Sequence, residues 1–417
     1  MGLTTTDSSV NYYIIAFLGK HECFLEIIAI FAHQFNEKFK AMKKIFTLLA
    51  FAAMTVLGLT SCAGQQDDGV NNFTIKRGTN LSHWLSQSRA TGEARRNHIQ
   101  EDDFERLEQL GFDFVRIPID EVQFWDEDGN KLQEAWDLLT NAINLAEKHH
   151  LRVVVDLHII RSHAFIDNNN NNTLFTSEES QQGLINMWYQ LSDVLKGYSN
   201  DSVAYEFMNE PIAPEHEQWN VVVEKVHKAM RAIEPRRTLV VGSNRWQDYE
   251  TIKYLRVPEG DKNLILSFHY YHPMLITHRG AFWTPLGRFK GNINYPGVLI
   301  TQEDYDAAPE EIKEELKPFL TQVWNKDKIR EDFKEAIAAA KKYGLQLFCG
   351  EWGVYEPVER DLAYKWYKDM IEVFDEFDIA WTTWCYDGDF GFWDQRTESY
   401  KDKPLVDILM SGKALGE

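Results

Sequence analysis

Apolar residues recur along the chain in short, nearly continuous runs, with longer amphipathic stretches between them. The runs cover residues 78–85, 112–119, 152–158, 202–209, 238–243, 264–271, 346–352 and 379–386. Each has strand length and is apolar on both parities, the pattern of a sheet covered on both faces. Residues 102–110, 132–150, 215–233, 328–343 and 362–377 instead carry apolar side chains at helical spacing. Alternating strand and helix predicts a parallel α/β fold, and eight units predict a closed (β/α)8 TIM barrel as a single catalytic domain. The competing architecture, a doubly wound open sheet, usually shows a glycine-rich phosphate loop after its first strand. Here Gly78 is followed by "TNLSHWL". Residues 272–327 break the pattern, with Trp, Gly and Pro scattered between the sixth and seventh strands. A connection of that length in a compact domain is usually functional. The run "DNNNNN", residues 167–172, reads as a polar loop with no assigned chemistry.

The N-terminal region follows neither pattern. From Met42 the chain reads "MKKIFTLLAFAAMTVLGLTSCAG", with Lys43 and Lys44 ahead of an apolar stretch over residues 45–59 and small residues before Cys62. That stretch is shorter than the roughly 20 residues that span a bilayer. Charge, apolar run and cysteine come in the order of a bacterial lipoprotein signal, and "LTSC" resembles a lipobox whose cysteine is lipidated after cleavage. The expected organisation is an upstream extension over residues 1–41 from an over-called start, a signal peptide over 42–61, a tether over 62–72 and the barrel over 73–417. Ala63 is not the aspartate of inner-membrane retention, and Asp67 and Asp68 resemble export signals of surface lipoproteins. The expected location is the outer membrane of a Gram-negative bacterium, facing outward, with a periplasmic position as the alternative.

The other two cysteines of the mature chain, Cys349 and Cys385, lie in late strands. Alternation puts Cys349 on the face of Glu351 and Cys385 opposite Trp384, which argues against a bridge between them. The chain has 417 residues, 13% aromatic with thirteen tryptophans, and a formal net charge of −20. The acidity argues against nucleic acid or an anionic membrane face as partner, since both need basic patches. The aromatic content suits a large core and flat surfaces for a neutral ligand, and a monomer is expected.

Barrel enzymes place their chemistry at the C-terminal ends of the strands. Those ends carry Arg116 ("VRIP"), His158 ("DLH"), Asn209 and Glu210 ("MNEP"), His269 and Tyr271 ("HYY"), Glu351 ("GEWG") and Trp384 ("WTTW"). Two glutamates on the fourth and seventh strands thus face one another across the mouth. Such a pair fits glycosidic bond hydrolysis, one carboxyl protonated to meet the leaving oxygen and the other ionised. A flat indole fits the C–H face of a sugar. A metal-dependent barrel hydrolase would want a His-x-His pair on an early strand. Strand one has only His83, and His158 has no histidine two residues away, so no metal or cofactor is expected.

Together the six motifs resemble, in order and strand by strand, glycoside hydrolase family 5, the cellulase family of retaining barrel enzymes, over roughly residues 77–407. The resemblance implies Glu210 as acid/base and Glu351 as nucleophile. It implies that Arg116 orients Glu351, that Tyr271 hydrogen-bonds it, and that Asn209 binds the sugar 2-hydroxyl. His158 and His269 would line the site, with Trp384 rather than Trp381 as sugar platform. Strict alternation sends Asn209 away from Glu210, so both reach a sugar only if the chain bends at the strand end. Trp84, Trp125, Trp246 and Trp283 are candidates for further platforms or for core. The implied activity is endo-cleavage of β-1,4-glucan. Mannan, xyloglucan and mixed-linkage glucan are rival substrates, and a non-catalytic glycan-binding lipoprotein is the rival class.

Overall fold

The structure, a computed structural model, describes residues 69–166 and 172–413. The upstream extension, the signal peptide, Cys62 and the tether up to residue 68 lie outside the described residues, as do residues 167–171 of the polar loop. No helix among the described residues is long and apolar enough to cross a membrane.

Eight parallel strands close on themselves: β1 (Arg77–Asn80), β2 (Phe114–Asp120), β3 (Arg152–Ile159), β4 (Val203–Glu206), β5 (Leu239–Gly242), β6 (Leu264–His269), β7 (Gln346–Trp352) and β8 (Ala380–Thr383). Gly78 of β1 pairs with Phe114 on one side and Thr382 on the other, which closes the barrel. This is the predicted (β/α)8 TIM barrel. The crossovers are α1 (Glu101–Leu110), α2 (Gln133–Lys148), α3 (Glu178–Leu195), α4 (His216–Ile233), α5 (Lys326–Asp332), α6 (Lys334–Tyr343) and α7 (Arg360–Phe377), followed by α8 (Lys403–Leu409). The predicted helix over 328–343 is therefore two, meeting at Phe333. Between β5 and β6 a 3₁₀ turn, Tyr249–Tyr254, stands in place of a long helix.

Local chemistry sets the helix ends. Gln100 and Asp103 form a reciprocal capping box at the start of α1, and Gly111 ends it at φ 92. Ser177 caps α3 by accepting from the Ser180 amide. The buried face of α7 carries Leu362, Trp366, Tyr367, Met370, Ile371 and Phe374 at helical spacing. Each fully buried side chain of this size contributes about 1.5–3 kcal/mol.

The barrel interior is layered. Its floor is apolar, with Phe114, Val154, Ala204, Val240, Ile265, Phe348 and Ala380 closed from below by Phe73 and Ile75. Two residues further along β2, β3 and β4 the same inward parity presents Arg116, Asp156 and Glu206, all fully buried. The polar layer therefore sits directly above the floor and beneath the mouth. The last residues of the predicted tether are part of this body. Asn71 Nδ2 donates to the Arg236 carbonyl at 2.7 Å and to Thr238 Oγ1 at 2.8 Å, and the Asn72 amide donates to Asp201.

One sequence expectation fails. Cys349 and Glu351 do not share a face, because β7 carries a bulge. Phe268 pairs with Cys349, but the next residue, His269, pairs with Glu351, so Gly350 is an extra residue. Cys349 packs in the outer core while Glu351 turns into the mouth. Cys349 and Cys385 are both free and buried. The irregular segment 272–327 forms short helical turns and a two-residue strand, Gly297–Val298, paired antiparallel with Val323–Trp324.

Candidate active site

Arg116 organises the mouth from below. Its Nε donates to Glu206 Oε2 at 2.7 Å, and its Nη1 donates to Asn80 Oδ1 and to Glu351 Oε1, both at 2.9 Å. Its Nη2 donates to Asn209 Oδ1 at 2.8 Å and lies 3.0 Å from Asp156 Oδ2. Four hydrogen bonds and an ion pair with Asp156 thus surround the guanidinium. The second oxygen of Glu351 accepts from the Tyr271 hydroxyl at 3.1 Å. Glu210 meets His269, whose Nδ1 is 2.8 Å from Glu210 Oε1 and 3.7 Å from Glu351 Oε2. One oxygen from each glutamate and a ring nitrogen of His269 all lie within 4.8 Å of one another.

The bend that Asn209 requires is present. β4 stops at Glu206 and the chain turns, with Glu210 at φ 45. Asn209 Oδ1 therefore reaches Arg116 while the Glu210 carboxyl reaches His269. A left-handed backbone at a non-glycine residue costs on the order of 1–3 kcal/mol and persists only where the surroundings enforce it.

One guanidinium faces four buried carboxyls, those of Asp156, Glu206, Glu210 and Glu351. Burial pushes Asp156 up to about 7, against the pull of Arg116. Burial also raises Glu206. Glu210 is pushed well above the carboxylate range, first by burial and then by the charge of Glu351. Burial raises Glu351 as well, but Arg116 and His158 oppose it. The two glutamates are thus driven apart, with the proton favoured on Glu210 and the charge on Glu351. Burial holds His158 down at about 4 and His269 well below its ordinary value, so both rings are neutral near pH 7.

Glutamate, histidine and glutamate also form a metal-ligand set by type. Both Glu351 oxygens, however, already accept hydrogen bonds, and Arg116 supplies a positive charge 2.9 Å from one of them. The trio fits a proton-transfer and nucleophile pair better than an ion cage.

His158 anchors Nδ1 on Asp156 Oδ2 at 2.7 Å and stacks parallel to Trp384, centroids 5.4 Å apart. Trp384 lines the mouth, whereas Trp381 is core, edge-on to Trp352 and Phe112. Trp84 and Trp125 are also core, while Trp246 and Trp283 are about half exposed at 50% and 47%. Among the buried polar atoms at the site that lack protein partners are His158 Nε2, Asn209 Nδ2 and His269 Nε2. Buried polar atoms of this kind are normally satisfied, so three converging on one mouth mark a place for a hydroxyl-rich ligand.

The structure thus brings Arg116, His158, Asn209, Glu210, His269, Tyr271, Glu351 and Trp384 together. The sequence reading missed Asn80, Asp156, Glu206 and Gln247. A signal existed for two of them: Asp156 and Glu206 are charged residues inside strands whose faces are both covered, on the parity of His158 and of the apolar floor.

The cellulase family, glycosyl hydrolase family 5, matches residues 71–389. Endoglucanase C of Acetivibrio thermocellus is 29% identical over 352 residues, covering 82% of this chain and 99% of its own length. Cellodextrinase A of Ruminococcus flavefaciens is 29% identical over 307 residues, covering 73% of this chain and 84% of its own. Among solved structures, Cel5A of Thermotoga maritima in complex with cellobiose superposes with a TM-score of 0.64 at 22% identity, covering 80% of this chain and 97% of that one. The same barrel is seen in cellulose synthase subunit Z of Clostridioides difficile, with a TM-score of 0.64, 22% identity, and coverage of 81% and 99%. With the family matched over most of the chain and two glutamates facing each other at the barrel mouth, this protein belongs to glycosyl hydrolase family 5, the cellulase family.

Proposed function

We propose that the chain is a retaining, endo-acting β-1,4-glucanase. The observation that carries this reading is the carboxyl pair of Glu210, just beyond β4, and Glu351 on β7, with oxygens inside 4.8 Å of one another. Retaining pairs stand about 5–5.5 Å apart, whereas inverting pairs leave about 6.5–9.5 Å for a water. Glu210 donates its proton to the glycosidic oxygen as the bond to the leaving sugar breaks. Glu351 attacks the anomeric carbon from the opposite face and forms a glycosyl ester. Glu210, now ionised, takes a proton from water, whose oxygen displaces Glu351 and restores the starting configuration. Arg116 and Tyr271 stabilise the carboxylate of Glu351 before attack and after release. Trp384 stacks against the sugar at the cleavage point, and Asn209 Nδ2 meets its 2-hydroxyl. The exposed Trp246 and Trp283 extend the cleft as platforms for more distant units.

The glucan preference rests on relatives called endoglucanase and cellodextrinase. Cel5A of Thermotoga maritima has also been solved with mannotriose, so mannan belongs in the test. Purified protein should cut cellulosic β-glucan into a spread of oligosaccharides from the earliest times, faster than mannan, xyloglucan or mixed-linkage glucan. Release of a single short product, or faster cleavage of mannan, overturns the assignment.

We also propose that the protein acts as a monomer tethered by a lipid on Cys62, at the outer surface of a Gram-negative cell. The order of Lys43 and Lys44, the apolar run and the "LTSC" sequence supports this. A surface enzyme can cut polysaccharide too large to cross the outer membrane. Asn71 and Asn72, the last two residues of the expected tether, are bonded to the barrel.

A further inference from the structure

The peptide of Glu210 is bonded to side chains on both of its polar atoms. Its N–H donates to Gln247 Oε1 at 2.9 Å, and its carbonyl accepts from His163 Nε2 at 3.1 Å. Gln247 and His163 are both fully buried. A carbonyl only accepts, so His163 must carry its hydrogen on Nε2. Burial holds that imidazole at about 4, and hence neutral near pH 7.

Gln247 reaches this position by an unusual route. Arg245, Trp246 and Gln247 follow one another at φ 56, 60 and 52, all left-handed and none of them glycine. The turn sends the Gln247 side chain back into the barrel, into the inward position that Gly242 leaves open. A Cβ on Gly242 would lie 2.1 Å from Gln247 Nε2. Three consecutive strained residues persist only where surrounding structure enforces them. Here they aim one amide. Gln247 Nε2 donates to Glu206 Oε1 at 3.1 Å, and Glu206 Oε2 accepts from Arg116, which holds Glu351. The Gln247 carbonyl accepts from the His269 amide at 2.8 Å, and the His269 ring meets the Glu210 carboxyl.

We propose that Gln247 and His163 are positioning residues that clamp the Glu210 peptide, Gln247 also tying it through Glu206 and Arg116 to Glu351. The inference rests on Glu210 being the acid/base. The clamp touches no reacting atom. It fixes where the Glu210 proton points, and a displacement of about 1 Å costs on the order of 10²-fold in rate.

The test compares kcat/KM on cellotetraose, whose leaving sugar needs the acid, with kcat/KM on 2,4-dinitrophenyl β-cellobioside, whose leaving group does not. Gln247→Met should lose on the order of 10²-fold on cellotetraose. Its loss on the aryl substrate should be at least about tenfold smaller. The basic limb of the cellotetraose pH profile should move with it. His163→Leu should show the same split, and His163→Gln, which restores a donor, should recover most of it. If one truncated variant does not fold, the other carries the comparison. Equal losses on both substrates mean a merely structural role and overturn the clamp, as does an unchanged Gln247→Met. Glu210→Ala separates the two claims. If it shows the split and the Gln247 and His163 variants do not, only the clamp falls. If Glu210→Ala cleaves cellotetraose normally, the acid/base reading falls and the clamp with it.

Discussion

Replacing Arg116 by lysine keeps the charge but removes the fork. Arg116 donates to four acceptors, on Asn80, Glu206, Asn209 and Glu351, and pairs with Asp156. A lysine ammonium has three donors on one atom, so at least one acceptor loses its partner. Each buried orphan costs about 1–3 kcal/mol, and more if charged. The expected loss is therefore about 1–3 kcal/mol, a sizeable share of the roughly 5–15 kcal/mol typical of a domain. A second effect is electrostatic. Burial raises Glu351 while Arg116 opposes it. Weakening that contact lets Glu351 climb further, so the acidic limb of kcat/KM should move to higher pH. Denaturant unfolding followed by tryptophan fluorescence gives the first quantity, and a pH profile on an aryl cellobioside gives the second. Arg116→Lys with stability within about 0.5 kcal/mol of wild type, the scatter of ordinary surface changes, and an unmoved acidic limb would refute the network as described.

Further predictions address roles, pH and location. Glu210→Ala and Glu351→Ala should each lose most hydrolysis yet fold; azide should rescue an activated aryl glycoside to a β-azide in Glu210→Ala and an α-azide in Glu351→Ala, and the same anomer from both would exclude the assigned division of labour. Asp156 is raised to about 7 by burial, so its contribution to stability is complete below its unfolded value of about 3.9 and is lost as pH rises through about 7. Asp156→Asn should remove that decline between about pH 4 and 7, and parallel stability curves for the two proteins would show that Asp156 is not the titrating group. Cys62→Ala should move activity from membranes to the soluble fraction, and protease added to whole cells should remove the wild-type protein; a protein spared in intact cells but lost after lysis would be periplasmic.

The strands were legible because a barrel strand covered on both faces must be apolar on both parities. The glutamates were legible because "MNEP" and "GEWG" interrupt such strands with charge. What alternation missed were departures from regular strand geometry. The extra residue at Gly350 reverses the parity beyond Cys349, so a period of two misplaces Glu351 relative to its neighbour. The turn after Glu206 brings Asn209 and Glu210 into one site, and no residue spacing encodes that turn. Gln247 was invisible for a different reason. It lies beyond the end of β5, and only the left-handed run at Arg245, Trp246 and Gln247 returns its side chain to the barrel. Helix α3 was legible and overlooked: Ser177 precedes Glu178 and Glu179, and Leu184, Trp188, Leu191 and Leu195 follow at helical spacing.

The central claim is that Glu210 and Glu351 hydrolyse a β-1,4-glucosidic bond by two displacements. Proton NMR of the first sugar released from a cello-oligosaccharide, recorded before mutarotation, tests it most directly. The account predicts the β-anomer as the first product, converting to the equilibrium mixture with time. First appearance of the α-anomer would contradict it, since a single displacement by water would then have done the work assigned to Glu351.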